Sequence, residues 1–173
     1  MNRNKVIISI MTTLVAFLAL YLIMNFFDSK VEFDIFKENR ELFEEVKKET
    51  IRLASDHHYI NEPFLFKYGG YFAENQFHDD VDENLQNKIK QVLLLSEDKL
   101  NFIRYEKYDN KHFVSFIFDW ERAYGNAYHI VYCESYDTVK RFYDETRIEY
   151  GHEFKTEYEL VKLDVGWYGI MIK

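Results

Sequence analysis

The sequence predicts an α+β domain behind a single N-terminal transmembrane helix, with two or three helices packed on one face of a mostly antiparallel sheet of about five strands. Three observations carry that reading. Residues 6–27, VIISIMTTLVAFLALYLIMNFF, contain no charged side chain. Residues 34–54 and 80–95 space their apolar side chains at the 3.6-residue period of a helix buried on one side. From Asn101 onward the period falls to two, in segments separated by short turn sequences.

The first segment is read as an uncleaved anchor. Its 22 residues reach about 33 Å as a helix, close to the thickness of a bilayer hydrocarbon core. It has no polar face, which separates it from the core helix of a globular domain. A removable secretion signal carries a shorter apolar stretch ending in a small-x-small site. Here Ala16 and Ala19 lie within the run, and Leu20 to Phe27 continue it. Arg3 and Lys5 precede the span and no acid lies before Asp28, so residues 1–5 are expected in the cytoplasm and residues 28–173 outside.

Residues 28–173 amount to one ordinary domain, long enough to bury a core. They hold all 30 acidic residues and 20 of the 22 basic ones, for a formal charge of −10. That balance argues against nucleic acid, which is held by basic surfaces. Cys133 is the only cysteine, so an intramolecular disulfide is excluded, and its apolar setting points to a buried, inert thiol. Phe and Tyr are abundant and Pro is nearly absent, a bias that AT-rich codons produce and that suits a bacterial gene.

The elements follow in order. Asp34–Ala54 reads as one amphipathic helix with Ile35, Phe36, Leu42, Phe43, Val46, Leu53 and Ala54 on its apolar side, and Ser29 with Glu32 has capping spacing before it. Ser55–Asp79 is irregular, with a short strand at Phe64–Lys67 and a turn at Gly69-Gly70. Asp80–Leu95 is a second helix with Val81, Leu85, Ile89, Val92 and Leu93 as its stripe and Asp80 with Glu83 as a capping box. Asn101–Tyr108 and Lys111–Trp120 flank Asp109-Asn110, a two-residue hairpin turn. Counting outward, Tyr105 opposes Val114 and Ile103 opposes Phe116, with Arg104, Glu106 and Ser115 on the other face.

A further turn at Gly125-Asn126 would set Val131 opposite Trp120 and Cys133 opposite Phe118. Tyr136–Tyr150 is a third helix capped by Ser135, with Tyr136, Val139, Tyr143, Thr146 and Tyr150 as its stripe. Glu153–Leu163 and Trp167–Ile172 pair around Asp164-Val165-Gly166. At the level of fold alone this resembles small cone-shaped α+β domains of the cystatin-like or nuclear-transport-factor-like sort; no motif assigns a family.

Candidate chemistry is sparse. His57, His58, His78 and Asp79 flank the irregular 56–80 segment, and two imidazoles with a carboxylate would suit zinc if the chain doubled back. The spacing is not that of H-x-x-x-H or H-E-x-x-H, and adjacent histidines do not readily face one ion. Asp119, beside Trp120 at a strand end, is the carboxylate best placed for a hydrolase site. His129 and Cys133 share a strand face at about 13 Å, too far for a dyad. His129 itself reads as half-buried. No phosphate-binding glycine loop and no nucleophile elbow is present, and no cofactor is implied. The expected role is therefore a membrane-anchored, non-catalytic interaction or accessory domain of a bacterial envelope, contacting another envelope or secreted protein. The alternative is an envelope hydrolase, metal-dependent or carboxylate-based, with its site in residues 56–80 or near Asp119.

Overall fold

The computed structural model describes residues 33–57, 64–69, 72–118, 127–149 and 158–172. The expected membrane span, the Ser29/Glu32 cap, Asp119 and the Gly125-Asn126 turn lie outside them. Residues 35–173 form one compact unit. Its elements are α1 (Asp34–Glu38), α2 (Arg40–His57), β1 (Phe64–Gly69), β2 (Phe72–Phe77), α3 (Glu83–Leu95), β3 (Leu100–Tyr108), β4 (Lys111–Phe118), β5 (Tyr128–Tyr132), α4 (Tyr136–Glu149), β6 (Tyr158–Asp164) and β7 (Trp167–Ile172). The class is α+β, as expected. The seven strands form one antiparallel sheet in the order β2-β1-β3-β4-β5-β7-β6, two more than the sequence suggested.

The β3–β4 hairpin has the expected register. Tyr105 pairs with Val114 and Ile103 with Phe116, about a turn whose Asp109 and Asn110 both have positive φ, 53° and 58°. Two left-handed residues match the right-handed twist of the flanking strands. The β6–β7 turn also falls where expected, with Gly166 at φ +73°. A Cβ there would come within 3.0 Å of the Tyr132 ring, so glycine serves both the backbone angle and the contact.

Four expectations are corrected. The strand expected at Phe64–Lys67 is present within β1, but it pairs with a second strand, β2, that the sequence reading did not include. The first helix is interrupted at Asn39, whose backbone and side-chain amides both donate to the Ile35 carbonyl. The N-cap of α3 is Asp82, which accepts from Leu85 N at 2.8 Å, whereas Asp80 turns to His78. On β5, Val131 pairs with Ser115 and Tyr128 with Phe118, so the expected Val131–Trp120 register is wrong. The pairing is offset by an odd number of residues from the expected one, which exchanges the faces of β5.

The remaining correction concerns the layers, because helices cover both faces. On one face Phe43 of α2 meets Phe116 at 4.8 Å and Phe36 of α1 meets Trp167 at 4.9 Å. On that side α3 joins α2 through Lys88–Glu45 at 2.9 Å and Arg52–Asp82 at 3.9 Å. Its expected stripe, Val81, Leu85, Ile89, Val92 and Leu93, is buried throughout. On the other face α4 lays Phe142 over Phe113 at 4.5 Å. Phe113 and Phe116 differ by an odd number of residues on one strand, so they point to opposite sides. The cap of α4 is Ser135, as expected; its hydroxyl oxygen accepts from Thr138 N at 3.3 Å. Its buried stripe is Thr138, Val139, Phe142 and Tyr143, while Tyr136 is exposed.

The Asp109-Asn110 turn gives a direct test. Asn110→Gly relieves a left-handed side-chain cost and is expected to stabilise the domain by about 0.5–1 kcal/mol. Asn110→Val, which puts a branched side chain at that φ, is expected to destabilise it by about 1–2 kcal/mol. Urea unfolding midpoints of the two variants check both signs.

Candidate functional site

The face under α4 is apolar at Phe113, Val131, Tyr168 and Ile170, yet a set of polar side chains is embedded in it. Strand register places them. Arg104 of β3 lies opposite Ser115 of β4, which lies opposite Val131 of β5; His129 is two residues from Val131 on the same face. Glu106 is two residues from Arg104, again on that face. Tyr143 descends on them from α4. Its hydroxyl is 2.7 Å from His129 Nδ1 and also hydrogen-bonds Ser115. Arg104 Nη2 donates to Glu106 Oε2 at 2.7 Å.

Burial sets the charge states. His129 is 5% exposed, and its pKa falls to about 3, first because burial disfavours the imidazolium and then because Arg104 repels it. It is therefore the neutral imidazole at any ordinary pH. Burial, followed by the nearby Glu106, pushes the Tyr143 hydroxyl far up, so it remains a phenol and a donor. Burial also raises Glu106 above its ordinary value, against the pull of Arg104. Its Oε1 is buried and has no hydrogen-bond partner among the described residues. The arrangement is a Ser115–Tyr143–His129 chain of neutral hydrogen bonds beside a largely buried Arg104–Glu106 ion pair. Such a set can hold polar groups in register; with His129 Nδ1 engaged and its basicity suppressed, it does not abstract protons near neutral pH.

Cys133 lies in the same layer and is wholly buried. Burial raises its thiol pKa, which keeps it from acting as a thiolate. A second polar set stands on the opposite face. Trp167 Nε1 donates to Glu44 Oε1 at 2.6 Å, Lys47 holds Glu44 Oε2 at 2.5 Å, and Lys47 Nζ lies 4.1 Å from the centre of the Tyr132 ring. Burial pushes Glu44 up, but the bonds from Lys47 and Trp167 outweigh it and the net shift is downward. This set fastens α2 to β7 and β5.

Of the residues nominated from sequence, His57 ends α2, while its side chain and His58 lie outside the described residues. His78 Nδ1 accepts from Asp80 N at 3.3 Å and lies 3.4 Å from Asp80 Oδ2; Asp79 is exposed. Among the described residues no group of three or more His, Cys, Asp or Glu side chains is placed to hold a metal ion. Reading the sequence assigned Arg104, Glu106 and Ser115 to one face but missed that α4 covers it and that His129 joins them. The signal was available: KHFVSFIF in β4 is apolar on both faces, as in a strand covered on both sides.

Among the described residues no helix is long and apolar enough to cross a membrane. No protein-family model, no curated protein and no solved structure matches this chain.

Two outcomes follow from the buried set. Tyr143→Phe removes the partner of His129 Nδ1 and is expected to destabilise the domain by about 1–3 kcal/mol in urea unfolding. In acid, an unfolded histidine takes up its proton near pH 6.5, whereas folded His129 does so near 3. The unfolded state therefore binds more protons in that window, and stability falls as pH drops from 6.5 towards 3, by at most about 1.4 kcal/mol per pH unit from this group. Glu106, raised above its ordinary value, acts in the opposite sense as pH rises through that value. Comparing the pH dependence of the unfolding free energy in wild type and His129→Gln isolates the histidine contribution.

Proposed function

We propose that the chain is a membrane-tethered, extracytoplasmic domain of a bacterial envelope that acts by binding rather than by catalysis, with another envelope or secreted protein as its partner. The observation that carries the non-catalytic part is the state of the groups brought together under α4. His129 is sealed, neutral and bonded to Tyr143, and the Cys133 thiol is buried with a raised pKa. These are the forms least able to act as base or nucleophile. The tether rests on the uncharged Val6–Phe27 run and the outward placement on Arg3 and Lys5. The acidic balance of residues 28–173 suits a solvated domain and disfavours a nucleic-acid ligand.

Protease added to intact cells is expected to digest residues 28–173 and leave a short membrane-held fragment. Protection in intact cells with digestion after lysis would reverse the sidedness. Crosslinking of the full chain in its native cells is expected to recover a second envelope or secreted protein, and recovery of this chain alone would overturn the partner.

A further inference from the structure

Strand β6 is an outer strand of the sheet, so one row of its backbone N–H and C=O groups faces no strand among the described residues. Its inner neighbour β7 is buried on both faces from Trp167 to Met171, whereas Val161 of β6 is 36% exposed. Tyr158 and Leu160 pack against the apolar layer under α4, and Lys162 shares their face, since no register shift intervenes. The Tyr158 hydroxyl donates to Asp144 Oδ1 of α4 at 2.7 Å. Lys162 and Asp144 are both exposed, and neither enters an ion pair among the described residues.

We propose that β6 pairs antiparallel with β6 of a second copy of this chain, joining two sheets into one across a two-fold axis normal to the sheet at Leu160. The inference goes beyond the reading above and rests on α4, β6 and β7 alone. Such an axis keeps the two faces distinct, so residues that oppose each other share a face. On the α4 face the order Tyr158, Leu160, Lys162 is its own complement about the axis: Leu160 meets Leu160, and Lys162 meets Tyr158 twice over. Each ammonium then reaches a tyrosine ring and the Asp144 carboxylate bonded to it. An edge lysine ordinarily blocks pairing with another strand. Against this copy it gains a carboxylate instead. The exposed charges on that face of the edge balance, Asp137 and Asp144 against Lys140 and Lys162. Asp164 is paired with Arg40 at 2.6 Å, and Glu159, on the other face, comes opposite Val161 of the copy. Acidic groups elsewhere in the domain are screened beyond about 8 Å at physiological salt. The irregularity between Lys162 and Asp164 ends the regular stretch, so the paired segment is Tyr158–Lys162.

The test uses the full chain in mild detergent. Opposed residues of antiparallel strands have Cα atoms about 4.5–5.5 Å apart, within reach of a disulfide. Leu160→Cys is therefore expected to form a disulfide-linked dimer under mild oxidation, several-fold faster than Gln76→Cys on the sheet's other outer strand. The native Cys133 is buried and does not compete. Light scattering checks the contact with Leu160 in place. Wild type is expected to be dimeric, Lys162→Glu monomeric, and Lys162→Glu combined with Asp144→Lys dimeric again. Equal crosslinking at 160 and 76, a monomeric wild type, or a dimer that Lys162→Glu leaves intact overturns the β6 pairing. Crosslinking of position 160 to a different protein in native membranes overturns the choice of a second copy.

Discussion

The central strands β4, β5 and β7 bury both of their faces, and the rest of the structure is organised by that constraint. A strand covered on one side can turn polar residues to water at alternate positions. These strands cannot, and every residue from Phe113 to Phe118 is buried. Such a sheet needs a cover on each side, and the chain supplies α1 to α3 for one face and α4 for the other. The chain order follows from this. α1 and α2 precede the first strand, α3 lies between β2 and β3, and α4 with β6 is inserted between β5 and β7, two strands that pair with each other.

The two covers are fastened differently. On the α2 side, Trp167 is fully buried and its indole N–H, which must find an acceptor once buried, finds Glu44. That carboxylate is then neutralised by Lys47, whose ammonium lies over the Tyr132 ring. One acceptor required by one tryptophan thus fixes α2 against two strands. On the α4 side the fastening is the Tyr143 hydroxyl, shared between His129 and Ser115. Either set alone is costly if half-satisfied, since a buried donor or acceptor without a partner loses its hydration for nothing. The value of such bonds is positional: apolar side chains alone allow a helix to slide over a sheet, whereas these allow one seating.

Much of this was legible in the sequence where the pattern is local. The β3–β4 register follows from two strands whose alternation agrees about a turn of known type, and the α3 stripe follows from five apolar residues at helical spacing. What was not legible depended on partners distant in sequence. The β5 register was misread because a Gly-Asn pair looks like a tight turn, whereas the actual pairing puts Tyr128 opposite Phe118, their rings stacked at 4.7 Å and 3° between planes. The β2 strand was missed because FAENQF lacks alternation that a single buried face would impose. The polar set under α4 was half seen: Arg104, Glu106 and Ser115 share a face by parity alone, but His129 and Tyr143, 14 residues apart in sequence, reach them from β5 and α4, and only the pairing of β5 brings them there.

The placement of His129 separates the two roles a buried histidine can have. A catalytic imidazole needs one nitrogen open to the reacting group, a partner that holds the other, and a pKa near the working pH. Here Tyr143 holds Nδ1, as a positioning partner would, but burial and Arg104 depress the pKa far below that range. The same environment that would orient a base removes its basicity. Neutral His129 then offers two fixed polar atoms in an apolar layer, and Arg104, the charge that helps keep it neutral, is itself balanced by Glu106 at the margin of the α4 cover. The polar groups of this face thus form one linked set whose effect is to seat α4.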